Sequence, residues 1–263
     1  MTAWTTPNTG DLLRLWRHRR RMTQQELSLR ADVSARHLSF LENGRSTPSR
    51  EMLLRLADHL DVPLRERNDL LTAAGYAPSY RETDFGAADM RAVRDAIDRV
   101  LASHEPYPAI VIDRWWNLVA ANRSIALLTE GIAPVLLAAP MNVMRASLHP
   151  DGLAPRIRNR GQWRVHLLTR LERQVDRTGD PELVRLLDEL RGYDAGSPLD
   201  ASHPYNALVV PLRVSSSAGE LNLLSTIATF GTAVDITVAD LSIESFFPAD
   251  QATRARLEGA AIR

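Results

Sequence analysis

Two helix-opening signals stand close together near the start of this chain, and they limit what its first part can build. Thr23-Gln24-Gln25-Glu26 is a capping box, in which the threonine hydroxyl accepts from the amide three residues on and the glutamate returns the bond. Ser34 is a second cap. Only the polar turn Asp32-Val33-Ser34 separates the two helices they open, with Leu27 and Ala31 as the buried stripe of one and Leu38 and Leu41 of the other. These are the dimensions of a helix-turn-helix, whose second helix can enter a major groove while the first crosses the backbone. The flanking pattern is helical too. Leu12, Leu13, Leu15 and Trp16 precede Arg17, Arg19, Arg20 and Arg21, a cationic end that suits a helix C-terminus. Asn43-Gly44 ends the second capped helix, and Thr47-Pro48-Ser49 opens a fourth carrying Met52, Leu53, Leu56, Ala57 and Leu60. A fifth runs from Pro63 to about Ala74.

Composition narrows the chemistry. All 32 basic side chains are arginine, and there is no cysteine. A phosphate loop ending in Gly-Lys, a Schiff-base lysine, a thiolate nucleophile and a cysteine-bearing metal or iron-sulfur site are therefore impossible. Cysteine-free chemistry agrees with a cytoplasmic setting, and neither a membrane span nor an apolar signal core is expected. Net charge is zero over 263 residues, but residues 1–50 hold nine arginines against four acids. A basic head of that kind suits a polyanionic partner.

Beyond residue 76 the pattern changes. Residues 77–87 read as a connection, and Met90, Val93, Ile97, Val100 and Leu101 then mark an amphipathic helix. Ala109 to Asp113 and Asn117 to Ala121 predict a hairpin around Arg114-Trp115-Trp116, and Asn122 to Gly131 predicts a helix. Ile157 to Thr178 contains a long helix, and Pro181 to Arg191 forms another. Leu208 to Val214, Leu221 to Thr229 and Val234 to Val238 are rich in β-branched residues and predict strands, with Ser215 to Gly219 as a turn. Leu241 to Phe247 fits a strand or a helix, and Asp250 to Ala261 a terminal helix. The expected fold class is an all-α head followed by an α+β body.

The run Gln24-Gln25-Glu26-Leu27, Val33-Ser34, Leu38, Leu41-Glu42-Asn43-Gly44-Arg45 and Pro48-Ser49 resembles the Xre, or phage-repressor-like, helix-turn-helix DNA-binding domain. Longer runs resemble the MmyB-like regulators: Arg36-His37-Leu38-Ser39-Phe40, Ala73-Ala74-Gly75-Tyr76-Ala77-Pro78, Asp113-Arg114-Trp115-Trp116-Asn117-Leu118, Leu148-His149-Pro150-Asp151-Gly152 and Glu244-Ser245-Phe246-Phe247-Pro248. The resemblance implies a DNA-binding domain over residues 8–76, a linker over 77–87, and over 88–263 a PAS-like domain that accepts a hydrophobic small molecule such as a fatty acid.

On that reading Gln24 grips a phosphate at a helix N-terminus. Ser34, Ala35, Arg36, Ser39 and Phe40 form the leading end and outer face of the recognition helix, because Leu38 and Leu41 fix its buried side. Arg36 is the candidate base reader, its guanidinium fork matching O6 and N7 of guanine; a phosphate contact is its other reading. Phe40 stands where the family often has a polar reader. Asn43, Arg45 and Thr47 are expected to clamp the DNA backbone. In the body Trp115, Trp116 and Trp163 supply aromatic wall, while Arg145 and His149, beside Asn142, are candidates to anchor a carboxylate.

The partners expected are double-stranded operator DNA, a small hydrophobic effector and a second copy of the chain. The second copy follows because one recognition helix covers only a few base pairs, so two half-sites are needed. No cofactor, metal or catalytic residue is expected. His149 with Asp151, and His203 near Asp200, lack both a nucleophile elbow and metal-ligand spacing. The alternative is a DNA-binding regulator whose C-terminal domain recruits a protein and takes no small molecule.

Overall fold

A computed structural model describes residues 8–193 and 209–260, so Asp200 and His203 lie outside the described residues. The chain divides into two compact units between Thr83 and Asp84, with 176–178 and 232–239 grouped with the first.

Within its stretch 8–83 the first unit has five α-helices: α1 (Thr9–Arg19), α2 (Gln24–Arg30), α3 (Ala35–Glu42), α4 (Arg50–His59) and α5 (Leu64–Ala73). Four of the five begin at a side-chain cap. Asn8 Oδ1 accepts from the Asp11 amide at 3.0 Å, Ser34 Oγ from His37 at 3.1 Å and Ser49 Oγ from Met52 at 3.2 Å. At α2 the capping box is complete: Thr23 Oγ1 accepts from the Glu26 amide at 3.1 Å and Glu26 Oε2 from the Thr23 amide at 2.7 Å. Truncating Thr23 to alanine is expected to lower unfolding stability by about 1 kcal/mol, read as a shifted urea midpoint at unchanged slope, with serine restoring it. Helix α3 stops in a Schellman motif. Gly44, at φ 68°, donates to Leu41 O at 3.1 Å and Arg45 to Phe40 O at 2.8 Å. The apolar positions meet inside, where Leu13, Leu27, Leu38, Leu41, Leu53, Leu56, Leu60, Leu70 and Leu71 are all fully buried. Close approach is built in at Gly10, where a Cβ would lie 2.5 Å from the Leu41 carbonyl oxygen.

One buried charge cluster crosses this core. Arg17 donates from Nε to Glu42 Oε1 at 2.6 Å and from Nη2 to Oε2 at 2.7 Å, while its Nη1 reaches Met22 O at 2.8 Å. Burial pushes the Glu42 carboxyl up, but the hydrogen bonds from Arg17 and Gln24 outweigh it and hold the group below its ordinary value.

The rest of the chain runs α6 (Arg91–Ser103), β1 (Ala109–Ile112), β2 (Leu118–Ala121), α7 (Ala126–Thr129), α8 (Pro134–Leu137), α9 (Val143–Leu148), α10 (Arg160–Thr178), α11 (Pro181–Gly192), β3 (Leu212–Ser216), β4 (Gly219–Thr229), α12 (Ile236–Ala239), β5 (Ser242–Pro248) and α13 (Gln251–Ala260). The five strands form one antiparallel sheet in the order β2-β1-β5-β4-β3. Every residue of β1 is buried, because both faces are covered. Ala109 and Val111 join Ile97 and Leu101 of α6 on one side, with Ile243, whereas Ile110 and Ile112 face the larger core of α9, α10 and α11 on the other, with Phe246. Successive strand residues point to opposite faces, so a single strand serves both layers.

Three expectations are corrected. Val234 to Val238 is not a strand: Asp235 Oδ1 accepts from the Thr237 amide at 2.9 Å and starts α12 instead, and the fifth strand is β5. The turn predicted at Ser215 to Gly219 tightens to Ser217-Ala218, because Ser216 already pairs with Gly219. The helix predicted from Asn122 to Gly131 shrinks to a short 3-10 turn and α7.

Candidate functional sites

The first site is the outer edge of α3. Ala35 and Arg36 are exposed at its N-terminal end, Ser39 and Phe40 are half-buried one turn on, and Leu38, Leu41 and Glu42 are buried behind them. The Arg36 guanidinium carbon stands 5.4 Å from the centroid of the Phe40 ring, a cation–π contact that holds the cation along the helix flank. Phe40 therefore acts as a support for Arg36, a role that spacing alone did not suggest. Arg45 and Thr47 are exposed beyond the helix.

Two of the expected contact residues are already engaged. Gln24 commits one N–H of its amide to Glu42 Oε2 at 2.8 Å. Asn43 donates to Ser39 O at 2.8 Å and accepts from Arg14 Nη2 at 3.0 Å. Arg14, which the sequence reading passed over, also donates to Glu42 O and so lies beside the C-terminal end of α3. Its only sequence signal was its place in a cationic helix.

The second site is an apolar cavity of about 90 Å³ between the sheet and its covering helices. Ile110, Leu118, Leu128, Met144, Leu167 and Phe246 contribute to its wall, as do Trp116 and Trp163. Trp116 is held there against its own backbone preference: at φ 68° it adopts the left-handed region that a bulky residue rarely enters. Asp113 over-determines the turn, its Oδ1 accepting from the Trp115 and Asn117 amides at 2.8 Å each. The indole N–H of Trp116 then donates to Gln174 Oε1 at 2.8 Å, and Arg170 stacks 4.3 Å above its ring. Trp163 is fixed similarly by a 3.1 Å bond to Ser147 Oγ.

The remaining candidates lie away from this cavity. Trp115 turns its N–H to Asp180 Oδ2 at 3.0 Å. Asn142 is buried and structural, capping α9 at the Arg145 amide (3.2 Å) and donating to Trp115 O at 2.8 Å. Arg145 and His149 are not brought together as an anchor. Arg145 makes a two-pronged pair with Glu189 at 2.8 Å per bond. His149 Nδ1 accepts from the Asp151 amide at 3.0 Å, and its ring lies edge-on to Tyr193. Burial and the bond to Glu189 push the Tyr193 hydroxyl up to about 12. With Nδ1 an acceptor, His149 has no N–H on that nitrogen to offer the Asp151 carboxylate, as a general-base pair would require. Among the described residues, no group of three or more His, Asp and Glu side chains could hold a metal ion.

A charged wall residue, absent from the sequence reading as a site, completes the cavity. Glu244 on β5 is 4% exposed, and Arg170 Nη1 donates to its Oε2 at 3.0 Å. The pair lies 74 residues apart in the chain, so no local pattern marks it.

A capped helix-turn-helix with an exposed α3, followed by a separate unit enclosing an apolar cavity, defines a DNA-binding transcription regulator. A helix-turn-helix domain model matches residues 9–70, and a model of the MmyB-like transcription regulator ligand binding domain matches residues 93–259. The chain belongs to the MmyB-like transcription regulators. No curated protein matches it. Among solved structures it is similar to one described as "Structure of an RNA-binding Light-Oxygen-Voltage Receptor", at 15% identity over 97% of this chain and 63% of that one. The chain thus spans less than two thirds of that protein, and the TM-score of 0.27 is too low to bear on the fold. Among the described residues no helix is long and apolar enough to cross a membrane.

Proposed function

We propose that this regulator reads operator DNA with α3 as a homodimer, and that a hydrophobic small molecule entering the cavity of the second unit alters that binding. Residues 8–76 serve as the DNA-binding domain, 77–87 as linker and 88–263 as the sensing and dimerising domain. The antiparallel sheet, with α9, α10 and α11 over the face that borders the cavity, supports the PAS-like reading of that domain. Ser34, Ala35, Arg36 and Ser39 face the bases, with Arg36 carried on Phe40, and Gln24, Asn43, Arg45 and Thr47 meet the phosphates.

The observation that carries the sensing role is the cavity itself, in which Trp116 is held at an unfavourable backbone angle to form wall. Its 90 Å³ is well below the roughly 300–1,000 Å³ of ordinary ligand sites, so an alkyl chain such as that of a fatty acid enters only as the cover expands. That makes the ligand an effector in the thermodynamic sense, since it binds the expanded form better than the closed one.

Footprinting the protein on the DNA flanking its own gene, with and without octanoate or octan-1-ol, tests the proposal. Protection of two half-sites about one helical turn apart, changed by at least one additive, is expected. Protection that no apolar additive alters, together with protein that carries no small molecule in native mass spectrometry, would favour a domain that recruits a protein instead.

A further inference from the structure

We propose that α10 carries the state of the cavity to the recognition helix, and that Arg19 and Arg20 are the positioning residues that couple it to the DNA-binding helices. The inference rests on the sensing role proposed above and specifies how that role reaches the DNA. Helix α10 is 19 residues long, about 28 Å, and belongs to both units: residues 160–175 fall in the second and 176–178 in the first. One face of it, at steps of three and four residues, serves the cavity. Trp163 and Leu167 line the wall, while Arg170 and Gln174 hold the Trp116 ring and its indole N–H in place. One turn further on, the helix ends among arginines of the first unit. Arg19 Nη1 donates to Thr178 O at 2.8 Å, and Arg20 Nη1 to Arg177 O at 3.3 Å.

Those acceptors suit cations, because last-turn carbonyls have no intrahelical amide to receive and stand at the negative end of the helix dipole. Arg20 is itself anchored. Its Nε and Nη2 donate to Leu60 O and Asp61 O at 2.7 Å each, so the grip on α10 is set by the end of α4 as well as by α1. From α1 the connection continues to α3: Arg17 pairs with the Glu42 carboxylate, and Arg14 donates to Glu42 O at 2.6 Å and to Asn43 Oδ1 at 3.0 Å. Each link is a continuous helix, a ring contact or a hydrogen bond. A guest that displaces Trp163 or Leu167 therefore shifts a rod whose far end bears on α1, and α1 bears on the C-terminal end of α3. Close-packed helices pass on such shifts as bodies, by an ångström or two.

The test is the affinity of the full chain for a labelled duplex from the flank of its own gene, read by fluorescence anisotropy with and without saturating octanoate or octan-1-ol. In the wild type at least one additive is expected to change that affinity by about fivefold or more. The Arg19→Ala/Arg20→Ala protein should still bind the additive, read by the fluorescence of Trp116 and Trp163, but its operator affinity should change by less than about twofold. Linkage adds a second readout, since operator should alter additive affinity by the same factor in the wild type and not in the double variant. Arg19→Ala alone leaves the Arg20 anchor in place and should lose part of the response, and Arg19→Lys, which keeps a cation for Thr178 O, should retain it. An undiminished response in both alanine variants would overturn the proposal and leave the sensing role intact. A wild type whose operator affinity neither additive alters would remove both readings. The comparison of Arg19→Ala with Arg19→Lys decides the matter even if the double variant folds poorly.

Discussion

Replacing Glu42 with alanine is expected to destabilise the helical unit by about 3–5 kcal/mol, the range for removing one partner of a buried ion pair. The side chain is fully buried and receives two hydrogen bonds from Arg17 and one from Gln24, so its loss strands the Arg17 guanidinium inside the core. Stability of that size is comparable with the whole folding free energy of a small domain. Thermal unfolding followed by circular dichroism should show the helical signal of this unit lost at a much lower temperature. Acid should have a related, milder effect. The Glu42 carboxyl sits below its ordinary value in the folded state, so its contribution is fully present above the ordinary carboxylate range and disappears as pH falls through the depressed folded value. In the Glu42→Gln protein that acid-dependent loss should be absent. An unchanged midpoint in both variants would mean that the pair carries no stability.

The second large effect concerns recognition. With α3 in the major groove as proposed, Arg36→Ala is expected to lose about 1–3 kcal/mol of discrimination at one operator position, roughly 5- to 150-fold, with little change on random duplex. Arg45→Ala should instead weaken all duplexes and lower the slope of log affinity against log salt by about one phosphate contact. Titrations on operator and scrambled DNA at several salt concentrations distinguish the two. Equal losses on both duplexes from Arg36→Ala would make Arg36 another backbone contact. Phe40→Ala offers a finer reading, since it removes the ring beneath the Arg36 guanidinium and touches no other recorded partner of that arginine.

The head was largely legible because its determinants are local. Thr23, Ser34 and Ser49 each cap the amide three residues on, and the leucine spacing then fixes which side of each helix is buried. The body was harder for the same reason inverted. Val234 to Val238 has the composition of a strand, yet Asp235 capping the Thr237 amide is enough to turn it into helix. Short apolar runs carry both readings, and a single side-chain bond decides between them. The cavity residues divide likewise. Trp116 and Trp163 were visible as large aromatics, but Arg145 was drawn aside by Glu189, 44 residues away, and Glu244 was visible as a site only once its pairing with Arg170 was known. Charge pairing between distant segments has no signature in spacing.

Strand β5 belongs to two neighbourhoods at once. Its even-numbered residues Glu244 and Phe246 border the cavity, while Ile243 is packed beneath α6 on the reverse side. A backbone ribbon one residue thick is thus a shared partition. Interiors at crystal-like density transmit strain, so under the proposed sensing role a guest that displaced Phe246 would also load the floor on which α6 rests. On the sensing role proposed above, the sheet would serve as a diaphragm with α6 riding on it.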